Sequence, residues 1–293
     1  MHKSVLLEQS IELLDIHKAD VIVDGTFGGG GHSKAILDRF GREISLICVD
    51  LDEEAQKRFA DEFSPFPNAT FVHANFKDAS EILIKAGKQK ANKVLLDLGT
   101  STFQLLADTR GFSFQSDTPL QMTFSNAGSH TGFTARDIVN TWDESSIADI
   151  IYYYGGERSA KKVAHAIIVA RATHPIETSN ALAGIIEKIS PRRGKLHPAT
   201  KTFQALRIAV NDELRTLETA LNNWWELLAD RGRIVVITFH SLEDRIVKRW
   251  MRSNTPDLQK RVITKKPLIP TKLELQANPR ARSAKLRAVE KLL

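Results

Sequence analysis

The sequence predicts an α/β protein whose mostly parallel sheet is interrupted once by a long helical insert. Three observations predict it. Short apolar runs alternate with amphipathic segments through the first hundred residues. That rhythm stops near Phe103 and gives way to helical periodicity without strands. A strongly apolar run then returns at Arg233–Phe239. Alternation of this kind is what βαβ units require, since each parallel strand needs a crossover to regain its direction.

The elements follow in order. Val21–Asp24, Ile44–Asp50, Ala69–His73 and Val94–Leu98 are short apolar runs, the pattern of strands buried on both faces. Helical stretches are expected at about 33–40, 53–63 and 78–87, with Asp52 before Glu53-Glu54 as a helix N-cap. From about Phe103 to His130 the chain is irregular, broken by Gly111, Pro119 and Gly128. Ala160, Val163, Ala164 and Ile167, then Leu182, Ile185, Ile186 and Ile189, recur at helical spacing and give each helix an apolar face. A longer stripe runs from Phe203 through Leu206, Val210, Leu214, Leu217, Leu221 and Trp224 to Leu228. It predicts one continuous helix ending at the Asp230-Arg231-Gly232 turn, with Trp224-Trp225 as core and cover. A helix from Ser241, with Ser241 as its N-cap, and strand-like runs at Arg261–Thr264 and Ala284–Val289 complete the chain. The expected division is 1–104 and 199–293 for the α/β domain and 105–198 for the insert.

The 293 residues are 42% hydrophobic and 26% charged, ordinary values for a soluble domain large enough to bury a full core. Met1-His2-Lys3 opens no signal-peptide pattern and no apolar run reaches membrane-spanning length, so the expected compartment is the cytoplasm. Cys48 is the single cysteine; it forms no intrachain disulfide and is expected to be a small buried residue. The nine histidines show no metal-ligand spacing, so no metal is expected. Lysine and arginine number 41 against 35 acids, a net charge of +6. Two clusters concentrate that charge: Arg192, Arg193, Lys195 and Lys201, and Arg280, Arg282, Lys285 and Arg287. Such clusters suit a polyanionic partner. Oligomeric state is left open, a homodimer included.

The densest chemistry lies at Asp24-Gly-Thr-Phe-Gly-Gly-Gly-Gly-His-Ser33. A strand ending in an acid and a glycine-rich turn brings bare backbone to a ligand, and a Cβ there would block the approach. The loop is not a phosphate-binding P-loop, because Gly31 is followed by His32-Ser33 and not by Lys-Ser/Thr. It also lacks the third glycine of the dinucleotide fingerprint, since position 33 is serine. Asp50 ends the second strand about 20 residues later, where a carboxylate accepts the ribose hydroxyls of a nucleoside. Asp97 closes the fourth strand before Leu98-Gly99, beyond the strand tips where the reactive end of a cofactor lies. His240 follows the fifth strand as a candidate active-site wall. Ser241 beside it is not a nucleophile, because no Gly-x-Ser-x-Gly elbow surrounds it.

These pieces in this order resemble the RsmH (MraW) family, which methylates N4 of a cytidine in the decoding centre of 16S ribosomal RNA. The resemblance covers almost the whole chain: His2-x-x-Val5-Leu6-Leu7-Glu8, the Asp24–Ser33 loop, Asn75-Phe76, Asp97-Leu98-Gly99 with Gln104, and Arg110-Gly-Phe-Ser-Phe114. It continues through His197-Pro-Ala-Thr-Lys-Thr-Phe-Gln-Ala-Leu-Arg207, Phe239-His-Ser-Leu-Glu-Asp-Arg-Ile-Val-Lys248 and Asn278-Pro-Arg-Ala-Arg-Ser283. The resemblance implies a class I S-adenosylmethionine-dependent methyltransferase, a Rossmann-like, mostly parallel sheet with an inserted all-helical domain for RNA recognition. Its cofactor would be S-adenosylmethionine, held by Gly30, Gly31, His32, Asp50, Phe76, Asp97 and Gln104. Asp97 is the candidate catalytic residue. Arg110, Gln121, Lys195, His197, Lys201, His240, Arg280 and Arg282 are candidate contacts to 16S rRNA in the small ribosomal subunit.

The chain departs from the family at two places. Thr100-Ser-Thr-Phe-Gln104 stands where the family has Val-Ser-Ser-Pro-Gln. Thr118-Pro-Leu-Gln-Met-Thr-Phe-Ser125 stands where it has Gly-Pro-Leu-Asp-Met-Arg-Met-Asp, so Gln121, Thr123 and Ser125 replace two carboxylates and an arginine. The expectation is an active enzyme with an altered substrate lip. Two alternatives stay open: a catalytically weak or inactive RNA-binding assembly factor that keeps the cofactor pocket, and a nicotinamide-dependent oxidoreductase, which the failed fingerprint disfavours.

Overall fold

A computed structural model describes residues 4–99, 109–114, 117–125, 132–189, 197–253 and 259–292. Within these, the chain divides into two compact units, residues 1–101 with 214–293, and residues 102–213. The expected insert ended at 198. The helical unit instead runs to Glu213, because the helix Thr200–Asn211 buries Phe203, Ala205, Leu206 and Val210 in that unit's own core.

The first unit is built on a seven-stranded sheet. Its strands are β1 (Val21–Asp24), β2 (Ser45–Asp50), β3 (Ala69–His73), β4 (Ala91–Asp97), β5 (Leu228–Thr238), β6 (Lys260–Val262) and β7 (Lys285–Lys291). Their order is β3-β2-β1-β4-β5-β7-β6, parallel from β3 to β5 and antiparallel at β7 and β6. This is the class I methyltransferase sheet that the resemblance implies. Chain direction reverses its walk across the sheet between β1 and β4, so their carboxyl ends flank the crevice where such folds bind ligands. The helices α1 (Leu7–Leu14), α2 (Gly31–Phe40), α3 (Glu53–Phe63) and α4 (Ala79–Lys85) precede or connect the first four strands. The first of these was not expected from the sequence. Asp52 caps α3 by accepting from the Glu54 N–H at 3.2 Å, as the sequence predicts.

Two apolar clusters cover the sheet faces. One gathers Val23, Val49, Val94, Leu96 and Val236 with Leu217, Leu221, Trp224 and Trp225; the other gathers Ile22, Cys48, Leu95 and Ile237 with Ile11, Leu14, Ile36 and Phe63. Alternate residues of one strand thus enter opposite cores, the period-two rule of a sheet buried on both sides.

The unit of residues 102–213 contains α5 (Ala135–Thr141), α6 (Glu144–Tyr153), α7 (Ala160–Arg171), α8 (Ser179–Ile189) and α9 (Thr200–Asn211). Its core is made from their apolar faces, Ile138, Ile147, Ile151, Val163, Ile167, Leu182 and Ile186 among them. Thr134 and Asp137 form a reciprocal capping box at the start of α5. Asn211 holds the segment 117–125 against α9, accepting from Phe124 N–H at 2.8 Å and donating to the Met122 carbonyl at 2.7 Å.

Three local expectations are corrected. The long stripe from Phe203 to Leu228 is not one helix: α9 ends at Asp212, whose φ of 46° breaks the register, and α10 (Glu213–Glu226) begins anew. Periodicity alone misses the break because both helices keep the same apolar spacing. The Asp230-Arg231-Gly232 turn does not precede β5 but lies within it. There the pairing jumps from Ala91↔Leu228 to Lys93↔Arg233, a bulge that leaves Arg231 at φ 57°. The cap of α11 (Ser241–Arg252) is His240 and not Ser241, because the Glu243 carboxylate reaches back to the N–H groups of Phe239 and His240 at 2.7 and 3.2 Å. Among the described residues no helix is long and apolar enough to cross a membrane.

Trp224 is fully buried and its indole N–H donates to the Phe76 carbonyl at 2.7 Å. Trp224→Phe keeps most of the packing but leaves that carbonyl without its donor. Denaturant unfolding is expected to show a loss of about 1–3 kcal/mol.

Candidate active site

The glycine loop is a short backbone bridge from β1 to α2. Gly25 N–H donates to Leu95 O and Phe27 N–H to Val49 O, both at 2.9 Å, so the loop prolongs the ladders on both sides of β1. A Cβ on Gly25 would lie 2.5 Å from the Leu96 side chain and 3.3 Å from Phe76, which places Phe76 directly over the turn. Gly30 holds φ +73°, and a Cβ on it would meet the Phe27 ring at 2.7 Å and the Phe63 ring at 3.0 Å. Glycine is therefore required twice, once for space and once for backbone conformation.

Asp50 organises the rim of this loop. Its Oδ2 accepts from Gly28 N–H at 2.7 Å and its Oδ1 from Asp52 N–H at 2.9 Å. The Arg58 guanidinium donates to the Gly28 carbonyl at 2.9 Å and so fixes the other side of the same residue. Each carboxylate oxygen has a second lone pair, so two vicinal hydroxyls remain within its capacity. Burial raises the Asp50 carboxyl above its ordinary value, against the two backbone N–H bonds that lower it.

Behind the loop Asp24 is buried, accepting from Ser33 Oγ at 2.7 Å and from Thr26 N–H at 3.3 Å. Burial raises its carboxyl from 3.8 to about 6. Asp97, at the tip of β4, is held through its own N–H, which donates to Thr26 Oγ1 at 2.6 Å. Its Oδ1 is buried without a hydrogen-bond partner among the described residues. Burial first, then the charges of Asp24 and Glu243, push its carboxyl well above the usual range. His32 is buried beside it; Nε2 faces the Val5 carbonyl at 3.2 Å, which turns Nδ1 toward Asp97 Oδ2 at 3.7 Å, beyond hydrogen-bond distance. Three acids thus converge on one end of the sheet. A cation bound beside Asp97 would relieve the conflict there.

The structure brings together Gly30, Gly31, His32, Asp50, Phe76 and Asp97 of the expected cofactor residues. Gln104 and Lys195 lie outside the described residues, as does the Thr100–Gln104 departure. The expected RNA contacts divide. Arg280 and Arg282 are exposed on a short 3-10 helix at 279–283. Lys285 and Arg287 of the same cluster turn inward instead, bonding to the two Asp244 oxygens at 2.9 and 2.7 Å. His240 is committed to the cap of α11. His197 is stacked on Phe114 with ring centroids 4.1 Å apart, its Nε2 lies 2.6 Å from Glu187, and its Nδ1 accepts from Ala199 N–H. Arg110 donates to the Phe124 carbonyl at 2.8 Å. Lys201 donates to the Gly156 carbonyl at 3.1 Å. Gln121 is half-buried, and Thr123 is buried with its hydroxyl on the Ser125 carbonyl. Position 123 therefore closes a tight loop and does not present a side chain outward. Sequence reasoning missed Thr26, Ser33 and Glu243; a hydroxyl two residues after a strand-ending Asp and the Glu at the third position of α11 were the available signals.

A polar cavity of about 410 Å³ lies at the opposite, amino-terminal end of the sheet, lined by Asp15, Lys93, Arg233 and Glu290 among others. Arg233 spans it between Asp15 at 2.7 Å and Glu290 at 2.8 Å, so its walls are an ion-pair network.

The fold and the glycine-lined, acidic end of the sheet suit a nucleoside cofactor. The glycine cradle, the Asp50 rim and the unpartnered Asp97 oxygen fit S-adenosylmethionine, whose ribose needs an acceptor and whose sulfonium and ammonium need negative charge. The chain belongs to the MraW methylase family, whose profile matches residues 1–292. It is 40% identical to a ribosomal RNA small subunit methyltransferase H of Coprothermobacter proteolyticus over 99% of this chain and 96% of that one. It is also 40% identical to the protein of the same name from Clostridioides difficile, over 99% of both. Among solved structures it is similar to an rRNA methylase from Streptococcus thermophilus, with 10% identity, a TM-score of 0.47, and coverage of 100% of this chain and 99% of that chain.

Two outcomes are expected. Gly30→Ala forces a Cβ into the Phe27 ring at positive φ, costing about 1–3 kcal/mol of stability by thermal melting and weakening S-adenosylmethionine binding. Asp97 has a raised carboxyl in the free protein, and a cation in the site lowers it, so binding releases a proton. Affinity therefore rises with pH from the ordinary aspartate range up to the raised value, by at most about tenfold per pH unit. Calorimetry in buffers of different ionisation heat measures the released proton, and Asp97→Asn is expected to abolish that part of it.

Proposed function

We propose that this chain transfers a methyl group from S-adenosylmethionine to N4 of a cytidine in the decoding centre of 16S rRNA, on the small ribosomal subunit. The observation that carries the cofactor is the acidic, incompletely paired end of the sheet, where Asp97 Oδ1 is buried without a donor among the described residues. The substrate rests on the whole-length relatives named as small-subunit rRNA methyltransferases and on the ordered motifs from His2 to Ser283.

The work of the chain's own residues follows from their geometry. Asp50, fixed by Gly28 and Asp52, accepts the ribose hydroxyls. Phe76, over the Gly25 turn, covers the nucleoside and keeps water from it. Gly31 opens α2, whose N-terminus suits a carboxylate, while the Gly30 N–H is already bonded to the Phe27 carbonyl at 2.7 Å. Asp97 supplies the negative charge nearest the reactive end. Bound S-adenosylmethionine supplies a methyl on a sulfonium, so the enzyme's contribution is alignment, desolvation and disposal of one proton from the acceptor amine. An ionised Asp97 also accepts a hydrogen bond from that amine. This draws its nitrogen lone pair out of conjugation with the ring, which is the chemical obstacle in methylating an exocyclic amine. The target base is unstacked to reach the site, as enzymes that act on bases require.

The test is transfer of tritium from labelled S-adenosylmethionine to small subunits that lack the modification, with the product nucleoside identified by mass. One N4-methylated cytidine per subunit is expected, with Asp97→Ala lowering kcat by about 100-fold or more. Methyl transfer to another nucleotide overturns the cytosine-N4 reading. Tight binding of cofactor and subunit with no methyl product overturns catalysis and leaves an assembly factor.

A further inference from the structure

We propose that the exposed tyrosine pair closing α6, with the cationic turn after it, is a stacking platform for single-stranded RNA on the helical unit. It rests on the rRNA reading above and gives that reading a second contact surface.

Tyr152 and Tyr153 are 54% and 65% exposed. Their rings meet edge to face, with centroids 5.1 Å apart and planes at 84°. The inward face of α6 is already filled by Ile147, Ala148 and Ile151, so the two rings order against each other and contribute nothing to the apolar core. Two perpendicular rings present one open face and one edge to solvent, an arrangement suited to a planar base.

The chain then turns at Gly155-Gly156, and Gly156 N–H donates to the Tyr152 carbonyl at 3.0 Å. Lys201 of α9 ties that turn, donating to the Gly156 carbonyl at 3.1 Å and pairing with Glu157 at 3.4 Å. Glu157 is thereby neutralised, while Arg158, Lys161 and Lys162 are exposed on the turn and the first turn of α7. Asp149, one helical turn before Tyr153, is the exposed acid on α6 at this end. The balance is positive around the two exposed rings.

Aromatic faces stack on any base, and flanking cations follow the phosphate backbone; together they make a surface for single-stranded RNA. A second copy of the chain is the less suited occupant. A two-fold contact through the tyrosines would set Arg158, Lys161 and Lys162 against their own copies.

The experiment uses the full chain, with an end-labelled single-stranded 16S rRNA fragment followed by anisotropy, and unmodified small subunits followed by steady-state methylation. Tyr152→Ala with Tyr153→Ala is expected to weaken fragment binding about tenfold or more and to raise KM with kcat retained. Tyr152→Phe with Tyr153→Phe keeps both rings and is expected to bind as the unaltered protein does. Lys161→Glu with Lys162→Glu is expected to lower the salt dependence of log Kd by about one to two. Thermal melting confirms that each surface variant is folded. Unchanged Kd and KM in the alanine pair overturn the platform, and so does a change in sedimentation without a change in RNA affinity, which would assign the surface to self-association. Normal methyl transfer with an unchanged KM refutes the platform alone. Tyrosine-dependent RNA binding without cytosine methylation refutes the functional reading and upholds the platform.

Discussion

Convergence of Asp24, Asp97 and Glu243 on the dry end of one sheet is the constraint around which the α/β unit is arranged. Burying a carboxylate is costly unless it is paired, and burial together with the charges of Asp24 and Glu243 raises that cost at Asp97. The chain offsets part of it with neutral donors: Ser33 and Thr26 for Asp24, and the Phe239 and His240 amides for Glu243. Among the described residues Asp97 receives no such donor on Oδ1, and His32 stands too far away to supply one. The free protein thus stores an electrostatic deficit at the position where a cationic cofactor removes it. In the proposed function, affinity and reactivity toward S-adenosylmethionine would draw on the same deficit, a form of electrostatic preorganisation.

Backbone closeness is the second requirement, and it makes the loop rigid in a particular way. Gly25 leaves room for Phe76, and Gly30 lets the chain enter α2 against the Phe27 and Phe63 rings. Phe27 in turn packs edge to face on Phe59, Phe63 and Phe71. The loop's shape is therefore set by an aromatic cluster beneath it, while Asp50 and Arg58 fix a single residue, Gly28, at its N–H and its carbonyl. Trp224 carries the same logic to the other face, binding the Phe76 carbonyl from the buried core.

Charge in this protein has two uses that composition cannot separate. Lys285 and Arg287 are basic residues spent on Asp244, and they join β7 to α11. Arg280, Arg282, Arg158, Lys161 and Lys162 are exposed and available to a polyanion. His197 and Arg110, which the motif pattern offered as RNA contacts, hold the helical unit together through Phe114, Glu187 and the Phe124 carbonyl. A residue that recurs in a motif can serve the fold of a loop as readily as the ligand beside it.

The sequence by itself determined the alternation of β1 to β4 with helices, the helical insert, the return to the sheet at Arg233, and the acids at strand ends. These are local signals: period two or 3.6, a glycine run, an Asp before a turn. It also determined the family, since the motifs from His2 to Ser283 are long and ordered. Tertiary structure alone decided where the stripe from Phe203 to Leu228 breaks, because a left-handed residue at Asp212 changes direction without changing apolar spacing. It also decided that β5 absorbs the Asp230-Arg231-Gly232 turn as a bulge, and that His240 caps α11 with Glu243 reaching back. Most of all it decided the state of Asp97. Burial and the nearness of Asp24 and Glu243 set that carboxyl's charge, and those neighbours are 73 and 146 residues away along the chain. Electrostatic free energy depends on distance in space and on solvent exclusion, and neither can be read from residue order.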